Sequence, residues 1–342
     1  MKPLSEEALI RWIEALGWPK NPFLTCGIGD DCAVCAPGAG RDLVVTTDLL
    51  VEGRHFLLET TPVRDLGWKV GASNLSDIAA MGAEPAAFFL SAALPAGYQS
   101  LFLDLMTGLH DILGRFGTPL AGGDLSSSDR LFLSATVLGE VPAGQALRRA
   151  DARPGDAIFL TGQPGWSGAG LRLLTSGWRK TADGHLTDPD GRPQPASGLA
   201  WDCLEKHLRP VPRLETGRFL RESGAVTAAI DTSDGIAKDL RMIAAASGAG
   251  ARLDAAALDA LTHGGTVTLA DVLGGGEDYE LLFTVDPSRE AAFLAAYPGE
   301  AGGLPPLYRI GVICTEHPGE LRLSTPDGEQ QLPFTGWDHF SQ

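Results

Sequence analysis

Apolar residues recur along the chain at two spacings. At the helical spacing, Leu9, Ile13 and Leu16 follow Ser5, a side chain suited to capping, with Glu6 and Glu7 in the first turn and Gly17 as the stop. Residues 63–82 repeat the pattern with Leu66, Val70, Ile78 and Met81, and leave Asn74 and Asp77, three apart, on one polar face. Residues 101–116 predict a further helix. Pro212 opens another, and residues 235–246 carry the stripe Ile236, Leu240 and Ile243 ahead of Gly248, with Ser233 or Asp234 suited to cap it. Continuous or β-branched runs at 43–47, 86–94, 130–141, 157–160, 225–230 and 281–285 predict strands. Strands alternating with helices of these lengths indicate an α/β or α+β fold.

Between these elements lie the turns. Residues 146–156, which include Arg148, Arg149 and Arg153-Pro154-Gly155-Asp156, form a linker and turn, and divide the 342 residues into domains at 1–150 and 151–342. Residues 177–198, polar and broken by Pro and Gly, predict a surface loop. The glycine-rich stretch 162–170 precedes a helix and suits either close packing or a phosphate cradle, but matches neither common phosphate-loop pattern.

Carboxylates end many of the apolar runs. Asp30 and Asp31 close the loop Gly27-Ile28-Gly29-Asp30-Asp31, Asp48 ends Val44-Val45-Thr46-Thr47, and Asp77 follows Asn74-Leu75-Ser76. Asp124 follows Gly122-Gly123, Asp231 and Asp234 flank Thr232-Ser233, and Glu277, Asp278 and Glu280 follow Gly274-Gly275-Gly276 on a backbone expected to be flexible. One Asp after a strand is an ordinary turn former or cap. The five aspartate stretches from Gly27 to Asp234 together suggest a shared site for hard divalent cations, which take oxygen ligands. His55, close behind Asp48, reads as a core histidine or a phosphate contact. The aromatic tail that includes Trp337 reads as core packing or as a stacking wall for a flat ligand.

Charge narrows the partners. With 27 basic and 43 acidic residues the formal charge is −16, which repels nucleic acid and anionic membranes and makes a phosphorylated ligand depend on metal ions. The uncharged stretch 85–103 is interrupted by Pro85, Pro95 and Gly97, unlike a membrane span. Five cysteines in a chain this long suggest reduced thiols and a cytoplasmic protein; Cys32 and Cys35 have CxxC spacing but no second pair to complete a zinc site.

Walker A, protein-kinase and HExxH signatures are absent. Many carboxylates, few cations and glycine-rich turns suit ATP bound chiefly through Mg²⁺. Taken in order, Gly27 to Asp31, Thr46-Thr47-Asp48, the run from Asn74 to Gly82, Gly122-Gly123-Asp124, Asp231 to Gly235, Gly275 to Glu280 and Trp337-Asp338-His339-Phe340 resemble the bacterial thiamine-monophosphate kinase family.

That resemblance implies a two-domain PurM-like fold of the aminoimidazole-ribotide synthetase superfamily, with an N-terminal α/β domain that dimerises through its sheet and a C-terminal α/β domain. It implies transfer of the ATP γ-phosphate to thiamine monophosphate by a homodimer. By motif, Asp31, Thr46, Thr47, Asp48, Asp77, Asp124, Asp231 and Asp234 would hold several Mg²⁺ ions, with Asp31, Asp77, Asp124 and Asp231 as the catalytic carboxylates. Gly123, Asp124, Arg149 and Ser233 would contact ATP, and His55, Glu277 and Trp337 the thiamine substrate. The alternatives are another ATP-dependent enzyme of the aminoimidazole-ribotide synthetase type, or a non-catalytic divalent-metal-binding protein.

Overall fold

The computed structural model describes residues 5–29, 32–332 and 336, so Asp30, Asp31 and Trp337 lie outside the described residues. The chain divides into two units, Met1–Ile78 with Glu84–Gly144 and Ser176–Ala196, and Ala79–Ala83 with Gln145–Thr175 and Ser197–Gln342.

The first unit opens with α1 (Glu6–Ala15), capped by the Ser5 hydroxyl, which accepts a hydrogen bond from the Ala8 amide at 3.3 Å. A short antiparallel pair, β1 (Leu24–Cys26) and β2 (Val34–Cys35), brackets the acidic loop. The body is a four-stranded sheet of β3 (Arg41–Val51), β4 (Glu84–Leu94), β5 (Leu120–Ser127) and β6 (Phe132–Pro142), in the order β3-β6-β4-β5. All neighbours are antiparallel except β4 and β5.

Helices α2 (Val63–Ala80) and α3 (Gln99–Arg115) supply the core beside this sheet. They cross at bare backbone: a Cβ on Gly67 would fall 1.8 Å from the Leu105 carbonyl oxygen, and one on Gly108 would fall 1.8 Å from that of Arg64. Only glycine fits such an approach. Ile78 of α2 packs against Gly139 on β6, which fixes where α2 presents Asp77.

Residues 177–198 lie largely at the surface, as their polarity predicts, but are not an irregular loop. Arg179–Lys180, Leu186–Thr187 and Pro193–Gln194 form a three-stranded antiparallel sheet within the first unit. The Lys180 ammonium lies 3.0 Å from the Asp65 carboxylate, with both side chains buried. Strands two residues long carry no readable alternation, and their partners in the ladder are only a turn away.

The second unit is built on a seven-stranded sheet. Its strands are β7 (Ala157–Thr161), β8 (Val226–Asp231), β9 (Gly250–Asp254), β10 (Leu281–Val285), β11 (Leu307–Cys314), β12 (Leu321–Thr325) and β13 (Gly328–Gln331), ordered β8-β10-β7-β11-β9-β12-β13. Side chains alternate across it. Ile158 and Leu160 join the cluster of Ile230, Leu240 and Ile243, whereas Phe159 stacks on Phe283 at 5.7 Å among the aromatic rings of the other face. Burial on both faces explains the continuous apolar runs of β7 and β10. Helices α4 (Trp166–Thr175), α5 (Leu199–Leu208), α6 (Leu214–Ser223), α7 (Ile236–Ser247), α8 (Ala255–Asp259), α9 (Leu269–Gly274) and α10 (Glu290–Ala296) accompany this sheet.

The N-cap of α7 is Gly235, at φ +106°, in place of Ser233 or Asp234. Both of those residues are engaged elsewhere. The Ser233 carbonyl accepts from the Glu277 amide at 2.9 Å, and the Asp234 amide donates to Asp239 Oδ2 at 3.3 Å. Among the described residues no helix is long and apolar enough to cross a membrane. All five cysteines are free thiols.

Candidate functional site

In the first unit the site begins on β3. Alternation along the strand sends Thr46 and Asp48 to one face and Thr47 to the other. The Thr46 hydroxyl donates to Asp77 Oδ2 at 2.5 Å, while Thr47 donates to the Ala135 carbonyl at 2.9 Å across the sheet. Asp48 shares the face with Thr46. Burial pushes its carboxyl up to about 6, and the neighbouring Asp77 charge adds to the rise. Two carboxylates are thus held near one another where ionising both is unfavourable.

Asp124 and Gly123 sit on β5, exposed, in register with Ser91 and Leu90 of β4. A Cβ at Gly123 would lie 1.8 Å from the Leu90 carbonyl oxygen, so the backbone there is bare. His55 turns back onto the end of β3, where its Nδ1 accepts from the Val51 amide at 3.0 Å. That bond leaves the ring proton on Nε2 in the neutral form.

In the second unit, β8 ends at Asp231, which is buried. Asp234 pairs with Lys238 at 2.5 Å. A third carboxylate joins them. Asp239 is buried on α7, and burial together with the charges of Asp231 and Asp234 raises its carboxyl well above the ordinary range. The sequence reading missed it, although the signal was present: Asp239 stands three residues after Ile236 and one before Leu240, a polar side chain on an apolar stripe. Arg149 is exposed, with Nη1 3.6 Å from the Met242 sulfur. Among the described residues no three His, Cys, Asp or Glu side chains converge as a metal-binding group.

Residues 274–280 do not have the flexible backbone that their glycines predict. Glu277 and Tyr279 hold left-handed backbone at φ +64° and +51°, and are tied down by their amides to Ser233 and Thr232. Asp278 and Glu280 are fully buried. The Asp278 carboxylate accepts the amides of Gly165 at 2.6 Å and Ser167 at 2.9 Å, so the glycine-rich stretch before α4 cradles the chain's own anion. Burial pushes Asp278 up to about 7, against the lowering by Lys206 and those two amides.

Glu280 accepts from Arg213 through Nε at 2.7 Å and Nη2 at 2.6 Å, from the Thr161 hydroxyl at 2.7 Å and from the Lys206 ammonium. Burial alone would raise this carboxyl, but the charges and hydrogen bonds of Arg213 and Lys206 outweigh it and draw it down to about 2. Of this acidic stretch only Glu277 keeps its carboxylate partly exposed, 3.6 Å from Nδ1 of the buried His207. That imidazole also meets the Ser167 hydroxyl at 3.0 Å.

Two domains with this topology and this distribution of carboxylates place the chain in a recognised class. The family described as AIR synthase related protein, N-terminal domain, matches residues 29–141, and its C-terminal counterpart matches residues 153–324. Thiamine-monophosphate kinase of Escherichia coli (strain K12) is 39% identical over 322 residues, 92% of each chain. The crystal structure of thiamine-monophosphate kinase from Stenotrophomonas maltophilia K279a is similar with a TM-score of 0.77 at 36% identity, covering 94% of this chain and 96% of that one. AaThiL complexed with AMPPCP and TMP is similar with a TM-score of 0.72 at 26% identity, covering 98% and 97%. The chain belongs to the thiamine-monophosphate kinase family, as the order of its motifs implied.

Proposed function

We propose that this chain transfers the γ-phosphoryl group of ATP directly to the phosphate of thiamine monophosphate, giving thiamine diphosphate and ADP, with Mg²⁺ held by its aspartates. The observation that carries the reading is the half-buried Asp48 carboxyl raised beside Asp77, with Thr46 hydrogen-bonded to that second carboxylate. Hard oxygen donors crowded in this way fit Mg²⁺. Magnesium is commonly held by only one or two carboxylates, substrate phosphates and water completing its shell, so a pair suffices. Asp31, Thr46, Asp48, Asp77 and Asp124 of the first unit, and Asp231 and Asp234 of the second, are the residues we assign to hold the ions; Thr47, whose side chain turns to the other face of β3, would join them through its backbone alone. Bound magnesium supplies charge neutralisation between two polyanions.

The acceptor needs no base. A phosphate monoester with a second pKa near ~6 is already largely a dianion at neutral pH, so one of its oxygens forms the new bond to the γ-phosphorus as the bond from that phosphorus to the β-phosphate oxygen breaks. The residues' task is alignment. Gly123, Arg149 and Ser233 are assigned to ATP, and the exposed position of Gly123 and Arg149 is compatible with that assignment. His55, Glu277 and Trp337 are assigned to the thiamine moiety. The fixed backbone of Glu277 supports its role, because the carboxylate is set in place before any ligand arrives.

The protein is proposed to act as a cytoplasmic homodimer. β3 is an edge strand whose Leu43, Val45 and Leu49 are 46%, 63% and 54% exposed, an apolar row that a second copy would cover. The test of the activity is an assay for ADP and thiamine diphosphate with ATP, Mg²⁺ and either thiamine monophosphate or free thiamine, beside Asp124→Ala. Product from the monophosphate alone, lost on substitution, is expected. Product from free thiamine would require an alcohol-activating base and would overturn the mechanism.

A further inference from the structure

The second unit contains a cavity of about 370 Å³ whose chemistry the phosphoryl transfer does not use. It begins at the glycine-rich stretch, where Pro164 and Trp166 line it, and is completed by Leu261, Pro305 and Tyr308. These walls are rigid and flat. The Trp166 indole is set edge-on against His263, with ring centroids 5.4 Å apart at 82°. The Pro305 carbonyl is occupied by the Tyr297 hydroxyl at 2.7 Å, and the Pro306 carbonyl by the Gly162 amide at 2.9 Å.

The cavity's polar side chains, by contrast, are open to solvent and not taken up by the protein. Among the described residues, the side chains of Gln163, His263, Glu300 and Tyr308, all of which line the cavity, make no hydrogen bond. Arg213 also lines it. Its Nε and Nη2 are taken by Glu280, which leaves Nη1 as a donor without a protein acceptor. Five polar side chains on an otherwise apolar and aromatic wall are what a small-molecule site presents.

The charges decide the class of ligand. Arg213 and Lys206 share Glu280, and Glu300 stands on the cavity wall as a second carboxylate, so two cations face two carboxylates here and Arg213 serves the cavity chiefly as a hydrogen-bond donor. Glu300 adds a carboxylate, which repels phosphate. Burial and the nearby carboxylates of Glu300 and Glu280 raise the Tyr308 hydroxyl, which keeps it a neutral donor. A carbonyl oxygen satisfies Arg213 or Tyr308, a ring N–H satisfies Glu300, and the Gln163 amide can pair with adjacent donor and acceptor groups on one edge. Flat rings fit aromatic and proline walls.

We propose that this cavity is a second small-molecule site, which takes a neutral planar heterocycle of nucleoside size with a ring carbonyl beside a ring N–H. Its volume lies near the lower end of the range of about 300–1,000 Å³ for such sites, which favours a nucleoside over a full nucleotide. The assignment does not depend on the acceptor chemistry of the phosphoryl transfer.

The test is calorimetry and saturation-transfer NMR on the full chain with inosine, uridine and inorganic phosphate as probes. Saturable binding of at least one nucleoside at millimolar concentration or below is expected. Ala260→Phe, which fills the cavity, should weaken it about tenfold or more, and Gln163→Ala several-fold, with phosphate ineffective as a competitor. Retained turnover by Ala260→Phe shows that variant to be folded; Gln163→Ala, on an exposed side chain, serves if it is not. No saturable nucleoside binding to the wild type, binding unchanged in both variants, or equal competition by phosphate would each overturn the proposal.

Discussion

Glu280 and Asp278, two residues apart and equally buried, respond to pH in opposite directions. Glu280 is drawn below its ordinary value near 4.5 to about 2, so its stabilisation is fully present above 4.5 and is lost as pH falls toward 2. Asp278 is raised from 3.8 to about 7, so its contribution is greatest at low pH and is lost as pH rises from 3.8 through 7. Glu280→Gln leaves Lys206 and Arg213 buried without their counter-charge and should cost about 3–5 kcal/mol in urea unfolding, with a flatter stability profile below pH 4.5 than the wild type. Asp48→Asn acts differently, because its neighbour is another carboxylate. The substitution removes a repulsion and should leave the metal-free fold at least as stable, while turnover falls by about 10²–10³ and the rise in melting temperature on adding Mg²⁺ shrinks. Melting curves with and without Mg²⁺, set beside the activity assay, check both halves of that expectation.

At the scale of elements, the crossing of α2 and α3 governs where Asp77 stands. Gly67→Ala drives a Cβ into the Leu105 carbonyl, a backbone atom that cannot rotate away, and should cost about 3 kcal/mol or more while weakening Mg²⁺ binding through the displaced α2. Thermal melting and a Mg²⁺ titration of the variant are the measurements. The helix itself was legible, since Leu66, Val70 and Ile78 announce it, as were α7 from its stripe and β8 from the run that delivers Asp231. Those signals are local. What sequence could not supply were partners far away in the chain: Glu280 meets Thr161 and Lys206 across 119 and 74 residues, and Asp278 meets Gly165 across 113. A run of glycines and acids therefore read as flexible, although its amides and carboxylates are fixed by other elements. The small sheet of residues 179–194 read as a loop for two reasons: its strands are only two residues long, and the buried pair of Lys180 and Asp65 that anchors it joins positions 115 residues apart. Within the site, Asp239 was readable and overlooked, whereas the cap at Gly235 depended on contacts made by Ser233 and Asp234 that only the fold reveals.

For the whole molecule, the exposed row of Leu43, Val45 and Leu49 on an edge strand is the feature that assembly would have to answer. Val45→Glu should shift sedimentation toward the monomer mass, and a wild type that already sediments as a monomer would remove the proposed homodimer. The anion cradle at the start of α4 carries a consequence of another kind. Its Gly165 and Ser167 amides already hold Asp278, so those two donors of the helix start are not free for a polyphosphate. In a chain of formal charge −16, a nucleotide then gains affinity chiefly in company with its counter-ions. Under the magnesium assignment proposed above, ATP and magnesium are reciprocal effectors, each tightening the other by the same factor, and saturation with nucleotide is expected to follow the free activity of that ion as well as the nucleotide's own concentration.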